Sequence, residues 1–189
     1  MPHPVRFPQT AQTVPADYSG MDCRRFEVGA RTFAGAQLQQ ADFRGMNLRG
    51  VSFRAADARG ANFDAADLRA ADFTGALVQG ARFRRAGLQE ASFRQALLLS
   101  AHLEHASVQG ASFAGANLEW AWLEGVDFAR AIVSCALFHN VRGLSEAARA
   151  VIEKGGGLTG DRAMILGREL YEQPPTDAGQ GRPGAWPYG

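Results

Sequence analysis

At 189 residues the chain suits one domain with a sizeable core. Its 20 basic residues against 19 acidic leave a net charge of +1, so no global field points to nucleic acid or to an anionic membrane surface. Cys23 and Cys135 make neither a disulfide framework nor a CxxC metal pair, and no run approaches the ~18 apolar residues of a membrane span, so a soluble cytoplasmic protein without a membrane partner is expected.

Residues 1–30, with Pro2, Pro4, Pro8 and Pro15, read as an irregular N-terminal cap. From Phe33 the text changes. Every fifth residue up to Phe138 is apolar: 22 consecutive positions, of which Ala58 is the only small one. Two residues earlier stands Ala in 18 of the 22, the exceptions being Arg31, Met46, Val51 and Val126. The residue between is mostly Asp, Asn, Ser or Thr, as in Asp42, Asn47, Ser52, Asp57, Asn62, Asp67 and Asp72. Neither the helical period near 3.6 nor the strand period of 2 explains a spacing of five.

The motif A(D/N)(L/F)xx resembles the pentapeptide repeat proteins, and the match covers about residues 31–140. The resemblance implies an all-β solenoid, a right-handed quadrilateral β-helix with four pentapeptides per coil. The 22 repeats then make about 5.5 coils, a rod roughly 26 Å long at ~4.8 Å per coil. Cys23 and Val28 fit a degenerate first coil. Sorting the apolar positions by twenty gives one aromatic column of Phe33, Phe53, Phe73, Phe93 and Phe113, and an opposite one of Phe43, Phe63 and Phe83 that continues as Leu103 and Leu123. The two remaining columns are mainly aliphatic, and the small Ala lets the wall close around this filling.

A solenoid exposes both ends and needs caps. Residues 141–172 read as a C-terminal helical cap. Ser145 is the expected N-cap of a helix whose apolar face is Ala148, Val151 and Ile152, with Gly155 as its stop, and a second short helix is expected over residues 161–172. The Pro/Gly-rich tail 173–189 is expected to be disordered.

No catalytic, cofactor or metal constellation emerges. His102, Glu104 and His105 are close in sequence, yet the five-residue register separates their directions. The Asp residues before the central positions occupy places where the family uses Asp or Asn to bond the backbone of a neighbouring turn. Neither cysteine has a basic neighbourhood that would make it a nucleophile. Gly155–Gly157 follow a helix and lack the Lys-Ser/Thr of a phosphate loop.

The outward positions carry more. Arg44, Arg49, Arg54, Arg59, Arg69, Arg84 and Arg94 crowd the N-terminal two-thirds of the rod, whereas residues 101–129 hold Glu104, Glu119, Glu124 and Asp127 and no Arg or Lys. These eleven residues are the candidate interaction surface, with a ladder Arg44–Asp64–Arg84–Glu104 expected along one side. Leu77, Leu97 and Leu137 replace polar residues in one column, beside Leu99. Trp120, Trp122 and Leu137 are the candidate interface of a homodimer through the C-terminal coils, the assembly that the family resemblance implies.

The expected function is a non-catalytic module, a rigid rod presenting a patterned surface to a protein partner. The resemblance supplies an alternative, a DNA-mimicking protein that protects a topoisomerase (gyrase) and so confers antibiotic resistance or self-immunity. Mimicry calls for a dense negative surface, because duplex DNA carries a charge every ~1.7 Å; residues 31–140 hold 11 Arg against 10 acids. A further alternative is nucleic-acid binding through the Arg-rich half, which lacks the interleaved aromatics of a stacking platform.

Overall fold

In the computed structural model, residues 17–25 and 32–160 are described. A large apolar side chain every five residues can be buried on one axis only if the chain bends at every repeat. It does so by a four-residue turn: Ala36 N–H donates to Phe33 O at 3.0 Å, and Ala41 N–H to Leu38 O at 3.0 Å. The third residue of all but one of these turns between Phe33 and Val141 is left-handed, with φ of +68° at Gly35 and +59° at Gln40, as a type II turn demands; Arg130, at the corner after Phe128, is the exception.

Between turns each side is a minimal strand held by its neighbours above and below. Parallel bridges join Asp42 to Asn62, Asn47 to Asp67, Ser52 to Asp72 and Asp57 to Leu77, always twenty residues apart. Bridges every five residues that repeat every twenty make a four-sided coil. We number the faces by their central residues: face 1 contains Phe33, Phe53 and Phe73; face 2, Leu38, Ala58 and Val78; face 3, Phe43, Phe63 and Phe83; face 4, Leu48, Leu68 and Leu88.

The lumen is filled by those residues. On face 1 Phe53 and Phe73 stack with centroids 4.6 Å apart and rings 3° from parallel; on face 3 Phe63 and Phe83 do so at 5.0 Å. Across the lumen Phe63 meets Phe73 edge to face at 5.5 Å and 87°. Phe33, Phe43, Phe53, Phe63, Phe73, Phe83, Phe93 and Phe113 are all buried, as expected of the core. Stacking along each wall and edge contact between walls satisfy both favoured aromatic geometries at once.

The rod begins earlier than the sequence boundary at residue 30. Asp17 bridges Gln37 and Asp22 bridges Asp42, so 17–25 continue the coil instead of only covering it. Cys23 takes the inward place below Phe43, fully buried, and Tyr18 meets Phe33 edge to face at 5.6 Å. Burial, aided by Asp22 and Asp42, pushes the Cys23 thiol up to about 12.

Towards the other end the ladder opens at one place. Ser107 and Asp127 are not bridged although the neighbouring pairs are, and Gly110 N–H donates to Arg130 O where the register calls for Ala129 O. Val126 stands here in place of the corner Ala, and Phe128 succeeds Val108 in the lumen, meeting Phe113 and Phe138 at 5.8 and 5.5 Å. The bulkier pair pushes this corner outward while Ser112–Ile132 restores the register.

The C-terminal end is closed by strand β1 (Leu137–Phe138), helix α1 (Glu146–Lys154) and strand β2 (Leu158–Thr159), which pairs in parallel with β1. Ser145 caps α1, its hydroxyl accepting from Ala148 N–H at 3.2 Å, and Thr159 donates its hydroxyl to Glu153. Only Ile152 of the expected apolar face is buried; Val151 is exposed. Ile152 closes the lumen and packs so tightly on Gly157 that a side chain there would strike it. The expected second helix at 161–172 and the tail 173–189 lie outside the described residues.

Replacing Phe73 by Ala removes a ring packed on three sides and is expected to cost about 3–5 kcal/mol. Thr74→Asp, outward between Arg54 and Arg94, gives up its hydroxyl contact with Ser92 and should cost no more than about 1 kcal/mol. Denaturant unfolding of the two variants measures both; equal losses would mean the register is misassigned. The left-handed turn position yields a second test. Ala65, at φ +57°, should gain roughly 0.5–1 kcal/mol as Gly, and Gly75, at +66°, should lose a similar amount as Ala.

Candidate interaction surface

With the interior filled, chemistry is confined to the outside. The residue before each central one caps its own turn: Asp42 Oδ1 accepts from Arg44 N–H at 3.1 Å, Asn62 from Asp64 at 3.0 Å, Asp72 from Thr74 at 2.9 Å and Asn117 from Glu119 at 2.9 Å. The sequence reading had these side chains reaching to a neighbouring turn. A short Asx side chain reaches the amide two residues on more easily than the next coil. The exception proves the geometry: Arg82 has no acceptor to offer, and Asp64 from the coil before takes the Arg84 N–H at 3.0 Å instead.

The arginines encircle the rod. Arg54 and Arg94 project from face 1, Arg59 from face 2, Arg44 and Arg84 from face 3, Arg49 and Arg69 from face 4. Several are tied to the nearest aspartate: Arg44 to Asp42 at 2.6 Å, Arg59 to Asp57 at 2.6 Å, Arg69 to Asp67 at 2.5 Å, Arg54 to Asp72 at 3.1 Å. Only part of the expected ladder Arg44–Asp64–Arg84–Glu104 forms. Asp64 binds Arg84 at 2.7 Å and Arg82 at 3.0 Å, while Arg44 turns to its own Asp42, which a two-residue reach favours over a contact across coils. The Arg guanidinium hydrogen-bonded to each carboxylate holds Asp42, Asp57 and Asp67 below the usual carboxylate range and raises its own affinity for the proton.

The acidic group does not converge either. Glu104 and Glu124 stand one above the other on face 3, Glu119 is on face 2, and Asp127 is on face 4 beside the opened ladder. They form a band around the C-terminal coils, not a strip along one side, because successive residues in sequence pass around the square. Among the described residues no basic side chain forms an ion pair with Glu119, Glu124 or Asp127, and Glu104 meets only His102, at 3.2 Å. His105 takes no part: it lies over Gly125, where any side chain would collide with its ring. Among the described residues no group of three His, Cys, Asp or Glu could hold a metal ion, and no helix is long and apolar enough to cross a membrane.

Trp120 and Trp122 are 50% and 37% exposed, on the edge between faces 2 and 3 and on face 3. Trp122 is fixed from both sides, with His102 stacked on it at 5.6 Å and the Arg142 guanidinium 4.5 Å over its ring. The sequence reading missed Arg142, although His102, Trp122 and Arg142 lie at intervals of twenty and the same sorting that found the core would have aligned them. Leu137 does not belong with the tryptophans. It is 2% exposed and paired with Leu158, so as a candidate dimer contact it is withdrawn: the C-terminal cap has extended the sheet beside it.

A family profile described as pentapeptide repeats, in eight copies, matches residues 32–69, 61–98 and 88–130. A pentapeptide repeat protein from the thylakoid lumen of Arabidopsis thaliana is 31% identical, aligned over 59% of this chain and 77% of its own, with a TM-score of 0.57. A trypsin-treated variant of QnrB1, described as a plasmid-mediated fluoroquinolone resistance protein, is 19% identical over 82% of this chain and 84% of its own, with a TM-score of 0.58. No curated protein matches the chain.

The lowered carboxylates give a pH dependence with a definite sign. A carboxyl held lower in the folded than in the unfolded state adds stability above about pH 4 and loses it as pH falls further. Thermal melts between pH 7 and pH 2 should show a level midpoint that falls below about pH 4, and Asp57→Asn should reduce that fall.

Proposed function

Because the chain belongs to the pentapeptide repeat family, we infer that it works as a non-catalytic interaction module, a right-handed rod acting in the cytoplasm through its outer surface on a protein partner. The observation that carries this reading is the exposed aromatic edge of Trp120 and Trp122 on a rod whose lumen is filled. Large aromatics that are held rigidly and left accessible are the usual anchors of protein recognition. Trp122 is already immobilised between His102 and Arg142, so docking on it costs little side-chain entropy. Glu104, Glu119 and Glu124 around this edge favour a partner with positive charge nearby. The exposed, unpaired thiol of Cys135 fits a reducing compartment.

Topoisomerase protection by DNA mimicry has weaker support. A duplex presents its phosphates as continuous rows, whereas the acids here lie on three faces and most of the aspartates are neutralised by arginine. Binding of nucleic acid by the arginines meets the same objection, since they are distributed over four faces and largely engaged.

Two measurements separate these readings. Immobilised protein should recover a partner from the extract of its own host, and the Trp120→Ser/Trp122→Ser variant should lose it while keeping its β circular dichroism; recovery undiminished in that variant refutes the edge as the docking site. Purified protein at low micromolar concentration should leave gyrase supercoiling and its poisoning by quinolones unchanged. Protection that disappears on charge reversal at Glu104, Glu119 and Glu124 would replace this function with mimicry.

A further inference from the structure

We propose that face 2 of the rod is the surface on which a second copy of this chain docks, the two rods lying side by side and antiparallel. The residues that break the polar pattern of the outer surface are on this face. Leu77, Leu97 and Leu99 hold outward places in two successive coils and are only half-buried. In those coils the other three faces carry polar residues or glycine at the equivalent places. The position of the leucines selects the occupant. The ladder of face 2 runs through eight levels, from Asp17, which bridges Gln37, to Leu158, which pairs with Leu137. Its midpoint falls between Leu77 and Leu97. A two-fold axis through that point, lying between the rods and at right angles to both, sets the whole of one face on the whole of the other. The overlap is then about 34 Å long at ~4.8 Å per coil.

Such an axis keeps each outward column opposite itself and reverses its direction. Leu77 then meets Leu97 of the second copy, and Leu97 meets its Leu77. The other column reads Arg59, Gln79, Leu99, Glu119, its steps held by bonds such as Gly60 N–H to Gln79 O and Ser100 N–H to Glu119 O, both 2.9 Å. Reversed, it sets Arg59 against Glu119 at each end of the apolar centre, and no like charges are opposed. Arg59 uses Nε and Nη2 on Asp57, at 2.8 and 2.6 Å, which leaves Nη1 for a second carboxylate. Glu119 meets no basic side chain of its own chain among the described residues, so the pairing neutralises an acid that the rod does not. The corners fit as well. Ser100 comes over Gly80 of the second copy and Gln95 over its Gly75, both with open space beside them. Trp120 comes to the rim, over the copy's Gly60, while Trp122 on face 3 stays outside the contact. Parallel rods lack this match: they oppose Arg59 to an Asp57 that is already paired and leave Glu119 facing Asn117. With three leucines per copy at its centre, the contact is smaller than a standard interface of ~800 Å² per partner, and a dissociation constant on the order of 100 μM is expected.

The test is sedimentation of the full chain over a range of concentrations under reducing conditions, which keep Cys135 from linking copies. The parent should pass from monomer to dimer as its concentration rises through the expected constant. Leu97→Asp should weaken association at least tenfold and keep the β circular dichroism. Arg59→Glu and Glu119→Arg should each weaken it alone, because like charges then face each other. An equimolar mixture of those two variants should dimerise again, since every charged contact across that pair is Glu against Arg. Parallel rods would show no such recovery. A parent that stays monomeric well above the expected constant overturns the proposal, and so does a dimer indifferent to Leu97→Asp or a mixture that does not recover. The Trp120→Ser/Trp122→Ser variant should still dimerise, which separates this contact from the docking edge. A dimer lost in that variant but kept in Leu97→Asp belongs to the tryptophan edge, and face 2 is then not the interface.

Discussion

Everything in this molecule depends on the hydrogen-bonded step of one coil onto the next. Phe43 N–H donates to Asn62 O at 2.8 Å, Leu48 to Asp67 at 2.8 Å and Phe53 to Asp72 at 2.7 Å, and the same step recurs around each turn. It sets the rise at roughly a strand spacing, and that rise is also a comfortable distance for parallel stacking of aromatic rings. Backbone pairing and side-chain packing therefore ask for the same dimension, which is why a column of phenylalanines can run through the lumen without strain or void.

The cost of this economy is local. A turn at every fifth residue needs a left-handed residue, and glycine supplies it at Gly35, Gly45 and Gly50, but Ala65, Ala70 and Arg85 adopt it too, at φ of +57° in each case. Each of these gives up about a kilocalorie per mole relative to glycine. The coil tolerates it because the ladder above and below fixes the turn from both sides. Where the corner itself changes, at Val126 and Phe128, the lateral bonds yield first and the lumen stays filled. Burial of the central side chains outweighs a few exposed ladder bonds.

The outer surface obeys a weaker rule. Short-range geometry decides its pairs, so an aspartate finds the arginine two residues on in its own turn before one on the next coil. Such exposed pairs contribute little apiece and serve mostly to keep the faces soluble and in register. The result is a rod that neutralises itself over most of its length and leaves two places unlike the rest: an edge with fixed tryptophans among glutamates that no arginine meets, and a face whose polar column turns to leucine. A solenoid with no interior site has to act through features of this kind.

The period of five with alanine two places before each large residue marked the repeat, the family resemblance it carries implied four repeats per coil and hence the membership of the lumen columns, and the closing helix was legible separately, from Ser145 as its cap and Gly155 as its stop. The outward assignments were less legible. Treating Glu104, Glu119, Glu124 and Asp127 as one strip overlooked that a chain winding round a square carries residues near in sequence to different sides. Leu137 read as a surface leucine until β2 was seen to return beside it, whereas the first-coil place that the sequence offered Cys23 is the one that the pairing of Asp22 with Asp42 gives it. A repeat fixes which way a side chain points; which neighbour covers it, and which charge it meets, is settled by contacts between residues far apart in the chain, and those exist only in the folded rod.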